Sequence, residues 1–143
     1  MTLNDWWGGR SMADMLPKLF FIHFRDTSFI AEKENEIVGF LIGFLSQTFP
    51  DEAYVHFLGV HPGFRKHGVA RKLYESFFDA MRQRGRNVVR LVTASENKES
   101  IAFHRHIGFQ IEPQSTEVDG IPVYQNYDGP GNDRVLFTKR LST

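Results

Sequence analysis

Cysteine is absent from the 143 residues. That excludes disulfides, thiolate metal sites and a thiol nucleophile, so any acyl transfer must take another route. No metal is expected. The lack of cysteine is consistent with a reducing compartment, and a cytoplasmic location is the expectation. Long apolar runs are missing too: the longest, Ile37 to Leu45, has nine residues, where a membrane span needs about 20. Asp5 lies among the first residues and no apolar core follows a basic start, so no secretory leader and no membrane partner are expected. Neither a Gly-Lys-Ser/Thr phosphate loop nor a Gly-x-Gly-x-x-Gly dinucleotide fingerprint occurs. The formal net charge is zero, but its distribution is uneven. Residues 61–90 hold eight Lys or Arg against Glu75 and Asp79, a balance of +6, which leaves −6 for the rest of the chain. No acidic residue occurs between His61 and Tyr74.

What is present suits one folded domain over 1–143. The composition is 41% apolar with 14 Phe, enough for a substantial core. Ser11 is placed to cap a helix from Met12, which Pro17 breaks or splits. Phe29 to Ala31 reads as a strand, 32–36 as a charged hairpin turn and Ile37 to Leu45 as its partner. Ala53 to Val60 reads as a central strand. Val69, Leu73, Phe77 and Met81 recur every four residues, predicting a helix over about 68–84 with one buried face. Gly85 stops it, and 88–93 is another buried strand. Asn97 caps a helix over 98–106, Gly108 turns into a strand at 109–111, and 112–132 is irregular with a short strand near Val123. The last strand covers 134–138.

The organising stretch is Val60-His61-Pro62-Gly63-Phe64-Arg65-Lys66-His67-Gly68-Val69-Ala70. A strand that feeds a helix through a short glycine-containing loop directs several backbone N–H groups into one small volume, which attracts anions. The helix start lacks acidic residues and carries Arg65, Lys66, Arg71 and Lys72, a distribution that suits a phosphate ligand. An ordinary junction with a solvated basic face is the competing reading.

Two segments carry a resemblance. Arg65-Lys66-His67-Gly68-Val69-Ala70 resembles the Arg/Gln-x-x-Gly-x-Gly/Ala signature of the GCN5-related N-acetyltransferase superfamily, and Asn97 through Phe109 resembles that family's Asn-x-x-Ala-x-x-Leu-Tyr-x-x-x-Gly-Phe segment. The resemblance implies an α/β fold: a mixed, largely antiparallel central sheet flanked by helices. Family members begin with a strand, and none is visible before Trp6. The sheet is therefore expected with or without that strand, and without it has a different edge. The resemblance also implies acetyl-CoA as cosubstrate. Loop amides from His67 to Ala70, with Arg65 and Lys66, would hold its pyrophosphate. Asn97 and Phe103 would flank the pantetheine, and backbone N–H groups at Leu58, Gly59 and Val60 would polarise the thioester carbonyl. Asn97 as a plain helix cap is the competing reading.

Transfer to an amine needs a proton acceptor, and His56 on the central strand is the first candidate, since an imidazole titrates near neutral pH; a hydrogen-bonded strand histidine without catalytic duty is the competing reading. Some family members carry a relay histidine at the matching place. Others use an acidic residue two positions earlier, where this chain has Tyr54. Tyr54 and His56 share strand parity and are expected on one face. His104 stands where the family has a tyrosine proposed to protonate the departing sulfur; a packing histidine is the competing reading. Trp6, Trp7, Arg10, Tyr124 and Tyr127 are chemically suited to an acceptor rim, with packing at the domain edge as the alternative for the tryptophans.

The expected activity is direct transfer of acetyl from acetyl-CoA to a primary amine of a small molecule or peptide. The alternative is a CoA-binding regulatory or scaffold module with little catalysis. Nucleic-acid binding rests on Arg82, Arg84, Arg86 and Arg90 alone; zero net charge argues against it, and no nucleic-acid partner is expected. Apolar edge strands leave a homodimer open.

Overall fold

The computed structural model describes residues 19–65 and 68–141. The expectations for the first strand, for the helix from Met12 and for Trp6, Trp7, Arg10, Lys66 and His67 lie outside the described residues. The fold is mixed α/β, with largely antiparallel strands flanked by helices, as expected. It divides into two compact units, one reaching to Arg86 and one starting at Asn87.

In the first unit the short helix α1 (Leu19–His23) precedes three antiparallel strands in the order β1 (Ser28–Lys33), β2 (Glu36–Leu45), β3 (Glu52–Val60). Glu34 and Asn35, both at positive φ, make the two-residue turn between β1 and β2. Helix α2 (Val69–Gln83) buries Leu73, Tyr74, Phe77, Phe78 and Met81, as its spacing predicts. It lies close to β2 because a Cβ at Gly39 would meet Val69 Cγ1 at 2.7 Å and one at Gly43 would run into the Phe77 ring. Phe40 and Ile42 face the other way and pack with Phe20, Phe21 and Phe57.

The C-terminus of α2 is closed by backbone. Gly85 takes φ +75°, its N–H donates to Arg82 O, and Arg86 N–H donates back to Met81 O. Arg86, one of the four arginines that supported nucleic-acid binding, is turned inward: its Nη1 donates to the carbonyls of Ser46, Phe49 and Glu52, pinning the loop between β2 and β3. The other arginines of that cluster pair as well, Arg82 with Asp79, Arg84 with Asp26 and Arg90 with Glu112. The feature that supported nucleic-acid binding is thereby engaged within the protein.

The second unit pairs β4 (Val88–Ala94) with β8 (Arg134–Arg140), and β8 with β5 (Gln110–Ile111), all antiparallel. Helix α3 (Lys98–His106) starts at Asn97, whose Oδ1 accepts from Ser100 N–H at 3.3 Å. Its Ile101 and His104 are buried with Leu91, Phe109, Val135 and Phe137. The irregular 112–132 segment contains a hairpin, β6 (Thr116–Val118) with β7 (Ile121–Val123), joined through Asp119 and Gly120 at positive φ. No helix among the described residues is long and apolar enough to cross a membrane.

Candidate functional site

The alternation of β3 is broken where the chemistry was expected. Ile42 pairs with Phe57 while Gly43 pairs with Val55, so His56 is the extra residue of a β-bulge. Before the bulge Tyr54 shares a face with Phe44, the two rings stacking at 5.3 Å. After it the parity flips, and Phe57 joins the Phe40 and Ile42 cluster on that same side. His56 lies there too, its ring 5.3 Å from Phe20 and 4.4 Å from Phe57. The structure therefore brings Tyr54 and His56 onto one face, lined by Phe20, Phe24, Phe44 and Phe57. His56 is exposed, yet partial burial against the flanking rings lowers its pKa from 6.5. At neutral pH it is an uncharged proton acceptor.

Beyond the bulge the register assigns the amides. His61 N–H donates to Val38 O at 2.8 Å. By alternation Gly59 N–H also points toward β2, whereas the N–H groups of Leu58 and Val60 point off the opposite edge of the strand. This narrows the expected carbonyl-polarising donors to Leu58 and Val60. Gly59 has a packing reason to be glycine, because a Cβ there would run into the Phe40 ring.

The loop after β3 is built by its own side chains. His61 Nδ1 accepts from Gly63 N–H at 2.9 Å, which shapes the 3-10 turn Pro62–Phe64. Arg65 Nε donates back to Val60 O at 3.3 Å, holding the guanidinium beside the strand end. Gly68 caps α2 with φ +76°, a left-handed conformation that disfavours any residue with a Cβ, and among the described residues nothing beyond its chain neighbours lies within 4 Å of where that Cβ would stand. The first turn of α2 contains no acidic residue. Its first amides, at Val69 and Ala70, follow that glycine and carry the positive end of the helix dipole.

In the second unit Asn97 spends its side-chain oxygen on the cap of α3, and Phe103 is half-buried against His104. His104 is 4% exposed. Its Nδ1 lies 2.7 Å from Ser100 O, to which it donates, and its ring sits 5.5 Å from both Phe109 and Phe137. Burial lowers its pKa to about 4, only partly countered by the Ser100 carbonyl. The ring is neutral at pH 7 and fills core space, so an imidazolium donor there requires acid conditions. Tyr124 and Tyr127 meet edge to face at 5.2 Å and are 48% and 41% exposed. The loop presenting them is tied by Arg134 to Asp128 and by Asp133 Oδ1 to Asn126 N–H. Among the described residues no cluster of three or more His, Asp or Glu could hold a metal ion.

The family model described as Acetyltransferase (GNAT) family matches residues 3–109. Over 89 residues the chain is 32% identical to an uncharacterized N-acetyltransferase of Methanocaldococcus jannaschii, covering 59% of this chain and 39% of that protein. Over 81 residues it is 34% identical to the N-alpha-acetyltransferase RimI of Mycobacterium tuberculosis, covering 56% and 49%. The chain thus spans half or less of the length of these curated relatives. The crystal structure of Ard1 from Thermoplasma volcanium matches with a TM-score of 0.71 at 22% identity, over 87% of this chain and 76% of that one, a likeness of fold.

Proposed function

Because the chain belongs to the acetyltransferase (GNAT) family, we propose that it transfers the acetyl group of acetyl-CoA directly to a primary amine of a small molecule or peptide. The observation that carries this reading is the start of α2: a left-handed glycine cap, whose Cβ position meets nothing among the described residues beyond its chain neighbours, and no carboxylate in the first turn. These features fit a pyrophosphate, which needs backbone donors, close approach and no competing negative charge. The amides at Gly68 to Ala70 would hold it, with Arg65 adding charge.

Bound acetyl-CoA would supply an activated acyl group on a thiol of pKa about 8.5, low enough to depart as thiolate without a strong acid. The chain's own tasks are then to orient the acyl carbonyl and to remove a proton. Leu58 and Val60 amides, fixed by the strand, would polarise the carbonyl oxygen. A lysine-like amine of pKa about 10.4 is almost wholly protonated at pH 7, and freeing its lone pair costs roughly 4.6 kcal/mol. His56, held neutral between Phe20 and Phe57, would accept that proton directly or through water, with Tyr54 orienting the relay on the same face.

A second reading, a CoA-binding module without transfer, draws support from His104, where a neutral core ring occupies the position of the proposed proton donor. Calorimetry with acetyl-CoA tests the shared premise. Wild type is expected to bind, and Gly68→Val to bind at least about tenfold more weakly while keeping its circular dichroism spectrum. Equal affinity of the two folded proteins would count against the loop as the phosphate site.

A further inference from the structure

We propose that Thr27 is a positioning residue for His56, its hydroxyl pinning the segment 19–27 to β2 beside the bulge so that Phe20 closes on the imidazole. The inference rests on the reading of His56 as proton acceptor given above and adds to it a residue that acts only through others. Among the described residues from Leu19 to Thr27, only Thr27 is fully buried; α1 buries none of its own. A helix of five residues is too short to hold its place unaided. Thr27 Oγ1 lies 2.6 Å from Gly43 O and 3.2 Å from Phe24 O. The single hydroxyl proton goes to the shorter contact, since Phe24 O already accepts from Thr27 N–H at 3.1 Å.

The strand register explains why a side chain is needed there. Ser28 pairs with Ile42 at the start of β1, so one further step sets Thr27 opposite Gly43. Val38 O accepts from His61 N–H just after β3, so by alternation the carbonyls of Phe40 and Ile42 face β3 and that of Gly43 faces β1. A continued ladder would give Gly43 O the N–H of Thr27. That N–H is spent inside the 3-10 turn Arg25–Thr27, and the hydroxyl takes its place. Gly43 is also where the pairing of β2 with β3 steps past His56. One bond thus satisfies a buried carbonyl at the register step and fixes the segment that carries Phe20 and Phe24.

Those two rings are what the segment gives the site. Phe20 stands 5.3 Å from the His56 ring and 5.3 Å from Phe24, which in turn lies 6.1 Å from Phe44, the ring stacked on Tyr54. His56 is flanked by Phe57 of its own strand and by Phe20 of α1, and only the second contact depends on Thr27. The ion pair of Asp26 with Arg84 at 3.4 Å is solvent-exposed and adds little to the hold. A proton acceptor has to be aimed at its amine, so a loosened imidazole costs turnover and leaves cofactor affinity alone.

The test compares wild type, Thr27→Val and Thr27→Ser by NMR of the His56 ring and by acetyl-transfer kinetics. Valine keeps the shape and removes the donor. It is expected to move the His56 ring signals from their wild-type positions, to weaken their nuclear Overhauser contacts with Phe20, and to leave KM for acetyl-CoA unchanged. The expected fall in kcat is roughly tenfold, short of the ~10²–10⁴ that a positioned proton acceptor supplies. Serine keeps the donor and is expected to restore both readouts. In a His56→Gln background Thr27→Val should cost no further kcat, because the acceptor it positions is gone. A folded Thr27→Val with an unmoved ring, or an active one with unchanged kcat, would overturn the proposal. Where Thr27→Val does not fold, the other two proteins decide: no contact between His56 and Phe20 in the wild type, or a displaced ring in Thr27→Ser, would overturn it. The ring signals are read without substrate, so a protein that acetylates no amine refutes the function proposed above while the NMR still judges the role of Thr27.

Discussion

A His104→Phe variant is expected to lose a pH dependence of stability that the native ring imposes. In the folded protein the imidazole, enclosed by Phe103, Phe109 and Phe137, has a pKa of about 4, whereas in the unfolded chain it returns to 6.5. Between those values the unfolded chain binds a proton that the folded chain refuses. Stability is therefore complete above pH 6.5, falls as the pH drops and reaches its full loss near pH 4. At about 1.36 kcal/mol per tenfold, the gap is worth on the order of 3 kcal/mol, a large share of the ~5–15 kcal/mol that holds a typical domain together. At pH 5 roughly 2 kcal/mol of it should already be gone. Phenylalanine keeps an aromatic ring but does not titrate. Its lost bond to Ser100 O and its larger volume shift stability by an offset that does not vary with pH. Urea unfolding of both proteins from pH 7.5 to 4.5 reads the difference in slope. His56, whose pKa is lowered as well, is present in both and cancels. Parallel profiles, or an NMR titration placing the His104 pKa at or above 6.5, would refute the reasoning. The latter result would restore the ring as a proton donor at neutral pH.

His56→Gln is expected to depress turnover near pH 7 and to remove the acidic limb of the pH–rate profile. That limb should fall below pH 6.5 in the wild type, since the flanking rings favour the neutral imidazole; an unchanged profile would exclude a relay role. Gly43→Ala places a methyl group in the Phe77 ring and should cost about 1–3 kcal/mol of overpacking in thermal unfolding, whatever its effect on activity. Arg86→Ala strips the partner from three loop carbonyls and is expected to cost about 2 kcal/mol, with faster hydrogen exchange at residues 46–52. Arg86→Lys should recover only part of that, because an ammonium lacks the planar fork.

Helix α2 and its caps were legible because local rules agree there: a four-residue apolar recurrence, a glycine on either side and no early acid. Asn97 likewise announced the start of α3. The bulge at His56 was not legible. Between Glu52 and Val60 the one polar interruption is His56 itself, with apolar residues on both faces around it, so no polar alternation marks where the parity flips, and pairing with β2 alone sets the extra residue. Its consequence is functional, since it turns Gly59 N–H toward β2 and leaves Leu58 and Val60 as the outward donors. The β6–β7 hairpin was hidden by Pro113 and Pro122, although Asp119-Gly120 between short apolar runs is a turn signal that pointed to it. Arg86 misled because its acceptors lie 34 to 40 residues away along the chain, beyond the reach of any local pattern. His104 was half legible: it stands three residues after Ile101, on the buried stripe of α3, a spacing that favours the core.

Acetyl transfer itself is tested most directly by incubating the full chain with acetyl-CoA and a panel of primary amines, small molecules and peptides, and detecting products by mass spectrometry. The expected result is an amine gaining one acetyl group with release of an equal amount of free CoA, and no acetylated protein along the way. No product across the panel, from folded protein that shows no affinity for acetyl-CoA, would contradict it.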